Sequence, residues 1–180
     1  LRPLPTMVEG QIVIALPAPE MSGGMPLFDA LRLRRSTREF QPTPLSKIVL
    51  SNLLWAGYGI NRKDESGRTA PSAMNAQDVD IYAALPGGLY RYDARRHELR
   101  MTCNEDVRRV TGYQDFVDDA PLDLIYVADY TRMGMVPAGQ RESYASVSAG
   151  AISQNVSLYC AAAGLVTVLR AAINCQKRWG

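Results

Sequence analysis

Three short segments of strand-forming residues, separated by tight turns, constrain the fold of this 180-residue chain most strongly. Residues 79–85 lead through Pro86-Gly87-Gly88 into residues 89–92, and a second turn at His97 leads into residues 98–102. Short turns of this kind join strands that are antiparallel neighbours. The succession therefore predicts a β-meander at the centre of the sequence.

Three other segments predict strands. Residues 122–128 (LDLIYVA) are the most apolar of them and predict a central strand of the sheet. Residues 165–169 predict a last strand, and residues 11–16 a short strand within a Pro- and Gly-rich extended arm, 1–24.

Helical periodicity appears in three places. A first helix opens at Pro26 and runs into the 34–38 segment, and a second follows the N-cap residue Ser46 to about Tyr58. A long helix rich in small residues covers 141–163 and ends at Gly164 as its C′ residue. Helices combined with an antiparallel sheet predict an α+β fold in which helices flank the sheet.

Composition excludes several classes of protein and of chemistry. The chain is 47% hydrophobic and 21% charged with a net charge of +2, which is typical of a globular protein and unlike a nucleic-acid binder. Its one histidine, His97, excludes a two-histidine metal site within the chain, and a solvated hairpin tip is a poor place for a Ser-His-Asp site. Cys103, Cys160 and Cys175 show no CxxC spacing. If the chain is an enzyme, a cofactor is expected to carry the chemistry.

Three guanidinium groups lie within the five residues Arg34-Arg35-Ser36-Thr37-Arg38. Arginine pairs bidentately with phosphate, so the segment suits an oxyanion. It also follows a helix, where the macrodipole disfavours an anion. The alternative interpretation is a solvated basic turn that only caps that helix.

Two further segments are rich in amide side chains. Pro71-Ser72-Ala73-Met74-Asn75-Ala76-Gln77 lies in a long polar loop, 61–78, and its amides could read the edge of a heterocycle; an ordinary Asn-containing turn is the alternative. In the long helix, Gln154 and Asn155 follow Gly150 among small residues. That pattern allows another backbone or subunit to approach closely, and helix packing alone is the alternative.

The order of the motifs RRSTREF, NLLWAGYGINR, APSAMNAQ and AGAISQNVSLYCAAAGLVTV resembles the nitroreductase family of FMN-dependent oxidoreductases. Within that family the sequence is most similar to the branch that includes the thiazole/oxazoline dehydrogenases of SagB type. The resemblance spans about residues 22–171. It implies an obligate homodimer with a long dimer-interface helix, in which the flavin carries the redox chemistry.

The resemblance also assigns roles to individual residues. The residues expected to bind the FMN phosphate and ribityl chain are Arg34, Arg35, Ser36 and Arg38. Those expected to pack along the isoalloxazine from the partner subunit are Pro71, Ser72, Ala73, Asn75 and Gln77. Backbone contact with the flavin ring is expected from Val168, Leu169 and Arg170. Gly150 and Gln154 are expected beside the flavin on the long helix. No metal ligand is expected.

The implied domain covers 25–173 and is followed by a short atypical tail, 174–180. Family members usually continue into a helix and a strand that deliver a Lys or Arg to the phosphate, whereas the basic residues here are Lys177 and Arg178. The implied activity is hydride transfer from a donor such as NADH or NADPH, through bound FMN, to a small organic acceptor. The alternatives are a flavin-binding subunit with little turnover, or a SagB-type azoline dehydrogenase in a peptide-modifying complex. The compartment stays open: cytoplasmic, or periplasmic or exported if a signal peptide precedes Leu1.

Overall fold

A computed structural model of the chain describes residues 12–62, 66–112 and 114–170. Its helices are α1 (Leu27–Leu33), α2 (Lys47–Tyr58) and α3 (Arg141–Ala162). Its strands are β1 (Val13–Ala15), β2 (Ile60–Arg62), β3 (Gly67–Arg68), β4 (Val79–Leu85), β5 (Gly88–Asp93), β6 (Glu98–Cys103) and β7 (Asp123–Ala128). The predicted α+β class is confirmed.

A five-stranded sheet in the order β1-β6-β5-β4-β7 forms the centre, and all its pairings are antiparallel. The predicted meander is confirmed as β4-β5-β6. The predicted strand at 11–16 is confirmed at Val13–Ala15, while Gln11 lies outside the described residues. β1 occupies one edge of the sheet, where it pairs with β6.

The prediction that residues 122–128 form a central strand is wrong. Within the described residues β7 pairs only with β4 and lies at the edge of the sheet. Its apolar character has another cause, because its two faces pack against different clusters. Leu124 and Tyr126 pack against the main core, and Ile125 against a second cluster that includes Cys103. A strand that is covered on both faces is apolar even at an edge.

The main core lies between the sheet and the helices α2 and α3. Leu54, Ile81, Leu99 and Ile152 are almost completely buried there. α2 approaches α3 closely at Gly57, where an added Cβ would lie 2.9 Å from Val156 Cγ2. The absence of a side chain at Gly57 of α2 therefore permits this close packing against the long helix α3.

The predicted ends of two helices are confirmed. The Ser46 hydroxyl accepts a hydrogen bond from the Val49 N–H of α2 at 3.4 Å. At the end of α3, Gly164 adopts a φ of 69°, and the Leu165 N–H donates to the Cys160 carbonyl at 2.8 Å. This is the Schellman arrangement, which turns the chain sharply out of the helix.

The predicted strand at 165–169 is wrong. The segment forms a single parallel bridge between Thr167 and Ser36 instead of a ladder. Ser36, the bridge partner, lies in a short non-helical stretch after α1, and that stretch forms a β-bridge at this one position. The predicted long polar loop at 61–78 contains short elements, because β2 and β3 form a small hairpin at its start and residues 73–75 form a 3₁₀ turn.

The turn at His97 is the predicted hairpin tip, but it is not freely solvated. The half-buried ring places Nε2 2.6 Å from Ser51 Oγ and Nδ1 2.9 Å from the Tyr92 hydroxyl oxygen. Ser51, which is fully buried, donates to the Pro17 carbonyl at 2.6 Å, so it accepts from His97 Nε2–H. The network ties the N-terminal segment to the hairpin, and burial lowers the pKa of His97.

No helix in the described ranges is long and apolar enough to cross a membrane. The tail 174–180, with Cys175, Lys177 and Arg178, lies outside the described residues.

Candidate functional site

The arginine segment, residues 34–38, begins where α1 ends. The Arg34 N–H donates to the Ala30 carbonyl at 2.9 Å, and the chain then leaves the helix. Arg35, Ser36 and Arg38 are exposed, and Arg34 is half-buried. The segment thus offers its charges to solvent at a helix C-terminus, where a bound anion would have to be held by side chains.

Residues 165–170 run beside the arginine segment. Ser36 pairs with Thr167 in a parallel bridge, and the Thr37 N–H donates to the Thr167 carbonyl at 3.0 Å. Leu169 is 59% exposed just after this bridge. Two groups of predicted site residues, separated by about 130 positions in the sequence, are therefore neighbours in the fold.

Arg170 differs from the residues before it because its side chain turns into the protein. Its Nη2 donates to Thr111 Oγ1 at 3.2 Å and lies 3.9 Å from Asp123 Oδ1, while the guanidinium lies 5.7 Å from the Phe116 ring centroid. Burial raises the pKa of Asp123, and the Thr111 hydrogen bond and Arg170 oppose that shift. The side chain of Arg170 is committed to this internal network, which leaves its backbone as the part that could face a ligand.

A cavity of about 910 Å³ lies beside β7. Its lining includes Gly150 and Ser153 of α3, Phe116, and residues 168–170. Gly150 is thus near the predicted ring-contacting segment, whereas Gln154 is exposed and the amide residues 71–77 do not line this cavity.

The amide loop, residues 71–77, has an unusual backbone. Met74, Asn75 and Gln77 have φ values of 53°, 52° and 49°, the left-handed region that non-glycine residues avoid. Each such residue costs roughly 1–2 kcal/mol, although Asn tolerates it better than Met or Gln. Strain of this kind persists only where the surroundings impose it.

Gln77 is the residue through which the amide loop is held. Its N–H donates to Ser72 Oγ at 2.9 Å, and its carbonyl accepts from Arg132 Nη1 at 3.0 Å. Its side-chain Oε1 accepts from Arg68 Nε at 3.0 Å. Its Nε2 donates to the Ser66 carbonyl at 2.9 Å and to Asn75 Oδ1 at 3.2 Å. The predicted site residues Ser72, Asn75 and Gln77 therefore form one connected group.

The residues that flank the amide loop are hydrogen-bonded to α3. Asn155 Nδ2 donates to the Thr69 carbonyl at 3.1 Å, which accounts for one of the two amides in the middle of the helix. Asp78, directly after the loop, is fully buried and accepts from the Ser148 hydroxyl at 3.1 Å. The other carboxylate oxygen of Asp78 and the Tyr58 hydroxyl are buried without a hydrogen-bond partner in the described part of the chain.

The arginine segment and the amide loop are separate features of one chain. Across the ranges that the structure describes, no hydrogen bond or ion pair joins them. Sequence reasoning missed Arg68 and Arg132, which bind Gln77. Arg68 precedes the loop by only three residues, but no spacing distinguishes it from the other arginines of the chain.

Comparisons with known proteins give a consistent result. The model of the nitroreductase family matches residues 31–177. A Methanocaldococcus jannaschii protein named as a nitroreductase is 34% identical over 153 residues, which cover 79% of this chain and 76% of that protein. A crystal structure from Ralstonia eutropha JMP134, described as a nitroreductase, is 49% identical with a TM-score of 0.88 and covers 97% of this chain and 83% of that one. A further structure from Anabaena variabilis shares the fold at 24% identity and a TM-score of 0.66, over 83% of this chain and 34% of that one.

Proposed function

The chain belongs to the nitroreductase family of oxidoreductases, and from that premise we propose that it binds FMN and transfers hydride from NADH or NADPH to a small organic acceptor. The observation that carries the proposal is the bridge between Ser36 and Thr167. This bridge brings the arginine segment, which suits a phosphate, next to residues 165–170, which are expected to contact the flavin ring.

The side chains available fit FMN. Guanidinium groups and hydroxyls of the arginine segment match the oxygens of a phosphate and a ribityl chain. The amides of the amide loop match the polar edge of a flat heterocycle. Both sets of groups reach solvent in this chain, with Arg35, Arg38 and Asn75 exposed.

We further propose that two copies of the chain form a homodimer with FMN sites at the interface. The helices α1 and α3 pack against each other, and exposed apolar side chains on both of them support this proposal. Phe28 is 84% exposed, Val147 72% and Leu27 60%. Several large apolar side chains exposed on two neighbouring helices are typical of an interface. A dimer also explains why the arginine segment and the amide loop need not meet within one chain.

In this account, FMN would supply the hydride-transfer chemistry between donor and acceptor when bound. Arg34, Arg35 and Arg38 hold and neutralise the phosphate. The backbone around Val168 and Leu169 supports the ring, and the amide loop of the partner covers its polar edge. The chain needs no acid or base histidine for this reaction, and His97 is committed to its structural network.

The first test is incubation with FMN followed by gel filtration. The proposal predicts that the protein retains the absorption bands of oxidised flavin and elutes as a dimer, and that NADH or NADPH bleaches those bands under anaerobic conditions. Replacement of Arg91, an exposed arginine of β5, by Ala is a matched control that should retain flavin. A protein that retains no flavin would overturn the proposal. Retained flavin that neither nucleotide reduces would instead indicate a binding subunit or another donor.

A further inference from the structure

Gln77 cannot serve as a hydrogen-bond donor to a ligand in this conformation. Both protons of its side-chain amide are used, one by the Ser66 carbonyl and one by Asn75 Oδ1. Its Oε1 accepts from Arg68, and its backbone N–H is bound by Ser72 Oγ. Gln77 therefore holds the loop through all of its hydrogen-bond donors.

The bond from Gln77 fixes which way the Asn75 amide faces. Because Asn75 Oδ1 accepts from Gln77 Nε2, the oxygen points inward and the NH₂ group is the end presented outward. Asn75 itself is exposed. The loop therefore presents a donor that complements an acceptor atom.

Arg68 anchors this chain of bonds to the rigid part of the fold. It lies on β3, donates from Nη1 to the Tyr58 carbonyl at 3.2 Å, and stacks 4.9 Å from the Tyr58 ring centroid. The Tyr58 carbonyl belongs to the last turn of α2, where the helix dipole favours a cation. The guanidinium is thus held at one side by α2 and offers its Nε to Gln77 at the other.

We propose that Arg68 is a positioning residue of the flavin site: through Gln77 it orients the Asn75 amide so that Nδ2 donates a hydrogen bond to an acceptor atom on the isoalloxazine. This inference rests on the proposed function. The acceptor is a ring carbonyl oxygen or an unprotonated ring nitrogen. Asn75 is the contact residue, and Arg68 acts only through it.

Such a donor has a consequence for the chemistry. A hydrogen bond to an acceptor strengthens when that atom becomes more electron-rich. Asn75 would therefore stabilise the reduced cofactor more than the oxidised one. Loss of the donor, or loss of its orientation, should lower the reduction potential of the bound flavin as well as its affinity.

The test is a double-mutant cycle on FMN affinity with Arg68→Met and Asn75→Ala in the full-length chain, measured by quenching of FMN fluorescence. One hydrogen bond is typically worth about fivefold in affinity, so each single variant should weaken binding about fivefold. Because Arg68 acts through Asn75, the double variant should also lose about fivefold. A loss of about twenty-five-fold in the double variant would show independent effects and overturn the positioning role.

A second readout separates positioning from a general loss of structure. Both single variants should lower the flavin reduction potential by similar amounts, and the double variant by no more than either. Arg91→Met removes an exposed charge of the same type and should change neither quantity. If Arg68→Met does not fold, Gln77→Met interrupts the same link from its other end and should give the same non-additive result.

The outcomes distinguish this inference from the function on which it rests. A wild-type chain that binds no FMN overturns the proposed function and the positioning role together. A wild-type chain that binds FMN, with additive losses in the double variant or no loss in either single variant, overturns the positioning role alone.

Discussion

The arginine segment and the amide loop are both expected to bind the same cofactor, yet they are built in opposite ways. The arginine segment is held through its backbone, by the Ser36–Thr167 bridge, and leaves Arg35 and Arg38 exposed. The amide loop is held through side chains, and Gln77 alone forms five hydrogen bonds.

On the proposed function, the difference matches what each end of a flavin nucleotide requires. A phosphate is recognised mainly by charge, and flexible guanidinium groups can adapt to it. A ring edge is recognised by the direction of individual hydrogen bonds, so its donors have to be fixed before the ligand arrives. The strained backbone at Met74 and Gln77 is the structural cost of that fixed geometry.

The largest effect is expected from the arginine segment. Arg35→Ala together with Arg38→Ala removes two charge-assisted contacts, each worth about 1.5–3 kcal/mol. FMN affinity should fall at least about 100-fold, with little change in thermal stability because both side chains are exposed. A fluorescence titration measures the affinity, and Arg91→Ala serves as the matched control. An unchanged affinity would remove the arginine segment from the site.

A smaller effect, insensitive to salt, is expected from the amide loop. Ser72→Ala removes the acceptor of the Gln77 N–H and should weaken FMN binding about three- to tenfold. Since charges are screened by salt and neutral hydrogen bonds are not, the variant should keep the salt dependence of the wild type. The arginine double variant should lose most of that dependence. Equal salt dependence in the two variants would contradict the division of roles.

The third prediction concerns the scaffold near the amide loop, where Tyr92 lies close to both Arg68 and His97. Burial lowers the pKa of His97 in the folded chain, so below about pH 6.5 the unfolded chain binds more protons than the folded chain. The free energy of unfolding should therefore fall as the pH drops from about 7 towards 5. His97 is the one histidine of the sequence, so His97→Gln should flatten this part of the profile in urea titrations. An unchanged profile would contradict the burial of the ring.

The smallest effect is expected at Tyr58, whose ring lies against the Arg68 guanidinium. Its hydroxyl is buried without a partner in the described part of the chain, and burial raises its pKa to about 12. Tyr58→Phe removes a group that is not hydrogen-bonded and should leave the free energy of unfolding unchanged or raise it by up to about 1 kcal/mol. A loss of more than about 1 kcal/mol in a urea titration would show that the hydroxyl is bonded after all.

The sequence correctly predicted the elements whose structure is decided by residues close together in the chain. Ser46 and Gly164 mark helix ends because capping is decided within a few residues, and the β4-β5-β6 meander follows from its short turns. The edge position of β7 and the bridge at Thr167 depend on neighbours distant in the sequence, so apolar content alone misplaced both.

The same limit applies to the candidate site. The motifs identified Arg34–Arg38 and the amide residues through their resemblance to a family. Their roles at the flavin, and the closer similarity to the SagB-type branch, stay predictions. The dependence of Gln77 on Arg68 and Arg132 could not be predicted, because it arises from the folding of β3 and residues 130–132 around the loop.

The central claim is that each FMN site combines the arginine segment of one subunit with the amide loop of the other, and mixed dimers test it most directly. One chain carries Arg35→Ala and Arg38→Ala, the other carries Ser72→Ala and Asn75→Ala, and each homodimer should bind FMN more weakly than the wild type. In the mixed dimer one interface site receives both sets of defects and the other receives none. The account predicts that mixing restores wild-type affinity to one site per mixed dimer. If mixing restores no tight binding although mixed dimers form, the site lies within a single chain and the account is wrong.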